Sequence, residues 1–230
     1  MNCMPTLYVV PTPIGNLEDM TLRALRILKE VDFILAEDTR TSKKLLDHYE
    51  IKQQLYAHHI HNEHKTLEST VQKIQHASSV ALISDAGTPA VSDPGFLLIR
   101  ACYEAGIEVT CLPGPSAIIP AIVGSGFPCD RFIFDGFLPH KKGRQTRWKE
   151  LAEEQQRSIV LYESPHRIVK CLTEAATYLG EERQVCVARE LSKLHEEFVR
   201  GTVAEVLARF TEKKPLGEMV LVIAPPEKTK

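Results

Sequence analysis

Short apolar runs recur along this chain, each too brief for a helix and each cut off by Gly, Pro or charged residues. Leu7-Tyr8-Val9-Val10 stops at Pro11-Thr12-Pro13-Ile14-Gly15-Asn16, Val31 to Ala36 stops at Glu37-Asp38-Thr39-Arg40, and Val80 to Ser84 runs into Asp85-Ala86-Gly87-Thr88-Pro89. Apolar residues in continuous runs, without polar alternation, mark strands buried on both faces. Such strands belong to a parallel sheet with helices on either side.

The intervals between the runs have helical spacing. Leu22, Leu25 and Leu28 lie three apart between Arg and Lys, and further helices are expected over Thr41–Tyr49, Leu67–His76, Gly95–Ala105 and Ser116–Val123. Val109–Leu112 supplies another strand and Leu55–Ala57 a short one. The texture changes at Gly124-Ser125-Gly126-Phe127-Pro128. Beyond it, strands are expected over Arg131–Phe137, Ser158–Tyr162, Gln184–Ala188, Glu197–Gly201 and Met219–Ala224, the fourth paired antiparallel to its neighbour. Helices are expected after His140, over Ile168–Leu179 and over Val203–Glu212. The expected fold is α/β in two domains, residues 1–124 with a parallel sheet and residues 125–230 with a mixed sheet.

In such sheets ligands gather at the carboxyl ends of the strands. There the sequence carries E-D-T-R, S-D-A-G-T-P, E-S-P-H-R and R-E-L-S-K, with charges where a turn needs only small residues. No G-x-G-x-x-G follows the first strand, and there is no Walker sequence and no G-x-S-x-G. The Ser84–Gly95 loop offers backbone amides and carbonyls, Gly for close approach, and hydroxyls. That suits a nucleoside-like ligand held by main-chain contacts, without a phosphate clamp.

A net charge of −2 argues against a general nucleic-acid coat but leaves room for a local basic patch. Cys3, Cys102, Cys111, Cys129, Cys171 and Cys186 form no C-x-x-C pair, so reduced, largely buried thiols in a cytoplasmic, soluble protein are expected. No apolar run approaches membrane-spanning length.

Taken in order, L-Y-V-V-P-T-P-I-G-N-L-E-D, A-E-D-T-R, H-N-E-H, S-D-A-G-T-P-A-V-S-D-P-G, P-G-P-S-A, F-D-G-F-L-P, E-S-P-H-R and R-E-L-S-K-L-H-E-E resemble one family. It is the bacterial small-subunit ribosomal-RNA ribose 2′-O-methyltransferases that act on a decoding-site cytidine, which share the fold of the tetrapyrrole (corrin/porphyrin) methylases. The resemblance runs from about Leu7 to Ile223. It implies S-adenosylmethionine as cofactor, folded in a cleft between two domains, and a homodimer acting on small-subunit rRNA or the assembled 30S subunit. By position it implies Pro11, Gly87, Thr88, Val91, Ser116 and Ala117 as cofactor neighbours, with Asp85, Ala86 and Pro113 on the same rim. Related methylases read G-D-P where this chain has Gly87-Thr88-Pro89, so Thr88 replaces an Asp.

Methyl transfer from a sulfonium is an in-line displacement that needs alignment and exclusion of water, and a positioned base or cation aids a hydroxyl acceptor. Glu37, Asp38, Glu190 and Lys193 are candidates, and the residues alone do not choose among them. Asp38, Arg40, Glu190 and Lys193 are assigned to the catalytic centre. Arg40, Arg189 and Lys193 are expected to hold RNA phosphate or ribose, with Asp38 or Glu190 orienting them, although structural ion pairs would look the same. The basic run from Lys141 to Lys149 offers Lys141, Lys142 and Arg144 to rRNA phosphates and Trp148 for stacking, unless Trp148 packs inward. His58, His59, His61 and His64 are dense, but substrate contact or a polar surface fits them better than a metal. Two other readings use the same residues: a methylase of this fold acting on a tetrapyrrole or a protein side chain, and a non-catalytic ribosome-associated module.

Overall fold

The computed structural model describes residues 4–60, 62–213 and 216–227; Cys3, His61 and the tail from 228 to 230 lie outside the described residues. The chain forms two units, Met1–Ser116 and Ala117–Lys230.

In the first unit β1 (Thr6–Val9), β2 (Phe33–Ala36), β3 (Leu55–Ala57), β4 (Ser79–Ile83) and β5 (Glu108–Cys111) form a parallel sheet in the order β3-β2-β4-β1-β5. The helices are α1 (Leu22–Glu30), α2 (Thr39–His48), α3 (Glu63–Gln75) and α4 (Phe96–Glu104). The steps from β1 to β2 and from β2 to β3 run towards one edge; those from β3 to β4 and from β4 to β5 run back. Right-handed crossovers then place the first two helices on one face and the last two on the other. The cores agree. Ala24, Ile27, Leu28 and Leu46 pack with Ile34, Ala36, Ala81 and Ile83, whereas Ile74, Leu98 and Cys102 pack with Leu7, Leu35, Val80 and Leu82.

Two helices start earlier than their apolar spacing indicates. Asp38 caps α2, its carboxylate accepting the Arg40 amide at 2.8 Å, so the helix begins at Thr39. The α3 helix begins at Glu63, which puts Glu63 and His64 in its first turn.

The second unit contains α5 (Ile118–Ser125), β6 (Phe132–Phe137), α6 (Arg144–Ala152), β7 (Ser158–Glu163), α7 (Ile168–Leu179), β8 (Gln184–Arg189), β9 (Glu197–Thr202), α8 (Val203–Glu212) and β10 (Met219–Ile223). Its sheet runs β6-β7-β10-β8-β9, with β6 and β7 parallel and the other pairs antiparallel. On one face α6, α7 and α8 bury Trp148, Leu172 and Val206 against Ile159, Leu161, Val187 and Leu221. Strand alternation leaves the buried Val160, Cys186, Ala188, Val220 and Val222 for the other face. The α5 helix packs on β7, β8, β9 and β10, so the division falls after Ser116 and not at the Gly/Pro stretch after Gly124. Cys102, Cys171 and Cys186 are buried free thiols, while Cys111 and Cys129 are exposed. Among the described residues no helix is long and apolar enough to cross a membrane.

Candidate functional site

Neighbouring strands β1 and β4 send their following connections in opposite directions, which opens the sheet edge at their carboxyl ends. The loops there are tied together. Thr12 and Gly87 form an antiparallel bridge, and the fully buried Thr12 hydroxyl donates to the Ser84 carbonyl at 3.0 Å. Gly87 has φ +76, a conformation that Gly adopts without a Cβ penalty. The Thr88 hydroxyl reaches the Pro115 carbonyl at 3.5 Å and so joins this loop to the one after β5. Ala90 and Ser92 also hold positive φ, at 70° and 64°.

The residues expected on the cofactor rim divide by exposure. Asp85, Ala86, Val91 and Pro113 are open to solvent, and Thr88, Ser116 and Ala117 are half-buried. Pro11 is buried, and Gly114 lies against it so closely that a Cβ there would come within 2.8 Å of the proline ring. Pro11 therefore supports the rim from beneath. Ala117 is the first residue of the second unit and precedes α5.

Carboxylates crowd the same edge. The Asp85 amide donates to Glu37 Oε2 at 3.3 Å, and the Asp38 amide donates to Asp85 Oδ1 at 3.2 Å. Burial raises the pKa of Glu37 and of Asp85; the charges of Asp85 and Asp38 add to the first, and that of Asp38 to the second. Burial, then the charge of Glu37, pushes Asp93 up to about 6, against a hydrogen bond with Ser84. Asp38 differs. Its carboxylate binds the Arg40 guanidinium at 2.7 Å, and that bond holds it well below the usual carboxylate range. Arg40 itself is 88 % exposed.

In the second unit the chain after β8 is held by ion pairs. Glu190 Oε1 accepts from Lys193 Nζ and from the Glu218 amide, both at 2.9 Å, and Lys193 also binds Glu218 Oε2 at 2.8 Å. Glu190 and Ser192 sit in the left-handed region, at φ 52° and 67°, a strain of about 1–3 kcal/mol each that the surrounding bonds sustain. Burial works against the Lys193 charge, but its bonds to Glu218 and Glu190 raise its pKa overall; the Lys193 bond lowers that of Glu190. Arg189 binds Glu197 at 3.2 Å and the Leu216 carbonyl at 3.3 Å. Glu197 is shared with Arg209.

The basic run needs correction. Arg144 was expected to meet RNA phosphate, yet its side chain is 4 % exposed, with Nε on Glu174 at 2.6 Å and Nη2 at 3.6 Å from Glu163. It lies on the inner face of α6 and is part of the fold. Trp148 is fully buried, donates Nε1–H to the same Glu174 at 3.0 Å and stacks on Tyr178, so it is not open to a base. Arg147 binds Asp135 at 2.7 Å. Lys141 and Lys142 are exposed, with no ion-pair partner among the described residues.

His58 is 1 % exposed, 3.6 Å from the buried Glu63, which in turn accepts the Gly95 amide at 3.0 Å. Burial pushes its pKa down, and the nearby Glu63 charge works the other way. This link between β3, α3 and the β4 loop was missed at sequence level, as was the Thr12 lock. The only sequence signal for that lock is a Thr between two prolines.

The family model for the tetrapyrrole (corrin/porphyrin) methylases matches residues 6–207. The chain belongs to this family. Curated relatives named "Ribosomal RNA small subunit methyltransferase I" include the Synechocystis protein, 51% identical over 96% of this chain and 79% of its own length. The Thermotoga maritima protein is 47% identical over 96% and 99%, and that of Escherichia coli O157:H7 48% over 96% and 78%. Among solved structures, uroporphyrin-III-C-methyltransferase from Thermus thermophilus superposes with a TM-score of 0.65 at 20% identity, covering 96% of this chain and 94% of that one. Diphthine synthase gives 0.72 at 13%, covering 95% and 90%. At those identities the likeness is one of fold.

As a member of this methylase family the chain is a methyltransferase with S-adenosylmethionine as methyl donor. The edge of the first sheet suits that group chemically. A sulfonium and an ammonium are cations, and Glu37, Asp85 and Asp93 supply carboxylates whose mutual crowding a cation relieves. No Lys lies in the Ser84–Gly95 loop to select for phosphate.

Proposed function

We propose that this methylase transfers the methyl group to the ribose 2′-hydroxyl of a cytidine in the decoding region of small-subunit rRNA. One observation carries the reading: relatives 47–51% identical over 96% of the chain are named for methylation of that RNA. The bound donor supplies an electrophilic methyl carbon, so the chain's own residues have to hold, align and keep dry. Gly87, Thr88, Val91 and Ser116 line the donor site with Asp85, Ala86, Pro113 and Ala117, above the supporting Pro11. Asp85 and Asp93 face the donor's positive charge.

The acceptor hydroxyl must lose its proton. Asp38 is a poor base because Arg40 keeps its pKa low. Lys193 stays an ammonium at neutral pH and serves as a cation for a developing oxyanion, oriented by Glu190. Arg40 and Arg189 meet the RNA backbone, and Lys141 and Lys142 add phosphate contacts. We take the active species to be a homodimer in the cytoplasm.

The test is methyl transfer from labelled S-adenosylmethionine to purified small subunits and to naked rRNA, with the product nucleoside identified by mass spectrometry. A 2′-O-methylcytidine supports the reading. Transfer to a base, or to a tetrapyrrole alone, overturns it.

A further inference from the structure

The carboxyl ends of β6 and β7 carry an aromatic cluster that no step above uses. A bulge in β6 between Phe134 and Gly136 makes Asp135 an extra residue, pinned by its bonds to Arg147. The register therefore runs Phe134 opposite Val160 and Phe137 opposite Tyr162. Without the extra residue Gly136 would face Tyr162, and Phe137 would turn to the opposite face of the sheet. The bulge thus re-aims Phe137. Its ring lies 5.4 Å from that of Tyr162, which also meets Phe134 edge-on at 5.0 Å. Phe137 nevertheless stays 51% exposed.

The surroundings are cationic. The Arg167 guanidinium sits over the Phe137 ring, 5.8 Å from its centroid. Its Nε binds the buried Glu163 at 2.8 Å, and its Nη1 lies 3.1 Å from His140 Nδ1. Glu163 and Glu174 offset the charges of Arg144 and Arg167. The exposed Lys141 and Lys142 leave the surface net positive. A bare aromatic ring beside a fixed guanidinium, bordered by unpaired lysines, has the composition of a single-stranded nucleic-acid platform.

We propose that Phe137, Arg167 and His140 form a subsite for an unpaired RNA base. The base packs against the open part of Phe137, and Lys141 and Lys142 hold the neighbouring phosphates. The subsite rests on the rRNA reading above and adds the residues that would grip a splayed nucleotide.

The experiment measures binding of a short labelled single-stranded RNA to the full chain, together with S-adenosylmethionine affinity. Phe137→Ala should weaken RNA binding between about 5- and 100-fold. Phe137→Tyr should retain it, and cofactor affinity should hold in both. Should Phe137→Ala not fold, Lys141→Gln with Lys142→Gln decides through exposed residues. The slope of log affinity against log salt should then fall by roughly 0.7 per lysine. Unchanged RNA affinity in Phe137→Ala, an unchanged slope in the lysine variant, or loss confined to the cofactor overturns the subsite. Methyl transfer by the wild type to purified small subunits, measured alongside, tests the rRNA reading separately. Transfer with RNA binding indifferent to Phe137 removes the subsite alone.

Discussion

Thr12 and Gly87 exchange two backbone hydrogen bonds of 2.9 Å, closing the loops after β1 and β4 onto one another. Both polar groups of the Gly87 backbone are consumed, so what it can offer a ligand is its bare α-carbon. A Cβ there would meet only Ile14 Cγ2 at 3.7 Å and the Pro115 carbonyl at 4.0 Å, with φ at +76°. Gly87→Ala should therefore cost about 1 kcal/mol of stability, from the backbone conformation alone. If the α-carbon abuts the donor, affinity for S-adenosylmethionine should fall more than tenfold. Thermal unfolding and calorimetric titration of one variant separate the effects; unchanged affinity would take Gly87 out of the donor site.

Arg40 gives the cleanest test of the proposed RNA contacts. Its guanidinium is 88 % exposed and among the described residues forms an ion pair with Asp38 alone, so Arg40→Ala should barely move the melting temperature. A drop of tenfold or more in kcat/KM on small subunits, with cofactor affinity intact, is then functional. Lys193→Met removes an ammonium that Glu190 and Glu218 hold, and turnover should fall by about 10²–10⁴-fold if the charge serves the acceptor oxygen. Full turnover in both variants would reduce these clusters to structural ion pairs.

The strands and most helices were legible because burial on two faces writes itself as continuous apolar residues, as in Val80–Ile83. The assignment of α5 was not. A Gly/Pro stretch looks like a linker, while the packing of Ala121 and Ile122 on the second sheet is a tertiary choice. The site was legible as a set of loops but not as a set of partners. Arg144 and Arg147 look alike in K-K-G-R-Q-T-R-W-K, yet Arg144 is buried by its place on α6 and Arg147 is drawn to a bulge residue. Asp93 showed only as a turn residue, because its environment depends on Ser84 and Glu37 from elsewhere in the chain.

Asp93 sets a pH dependence. Its pKa is raised to about 6 in the folded protein, so the native state holds the proton more tightly than the unfolded chain does. The stabilising contribution of the protonated form is complete below about pH 4 and disappears as pH rises through about 6. Glu37 and Asp85 are raised as well and act in the same direction. Asp93→Asn should flatten stability between about pH 4 and 6 and stabilise the protein at pH 8 by roughly 1 kcal/mol, discounted for the partial exposure of the carboxyl. Urea denaturation across that range would show it, and an unaltered slope would assign the titration to another group.

Arg144 offers the opposite test from the exposed lysines. Its guanidinium lies between Glu174 and Glu163, and Glu174 also accepts the Trp148 indole N–H, so one truncation strips a partner from the buried Glu163 and from the half-buried Glu174. Removing one member of a buried charge cluster costs roughly 3–5 kcal/mol, a large share of the 5–15 kcal/mol that typically stabilises a domain. Arg144→Ala should lower the melting temperature sharply. Arg144→Lys should recover only part of the loss, because an ammonium cannot reproduce the planar fork. Below the new transition, the salt dependence of RNA binding should match that of the wild type, since no exposed charge has changed. A shallower salt slope in Arg144→Ala at full stability would return Arg144 to the RNA-binding surface.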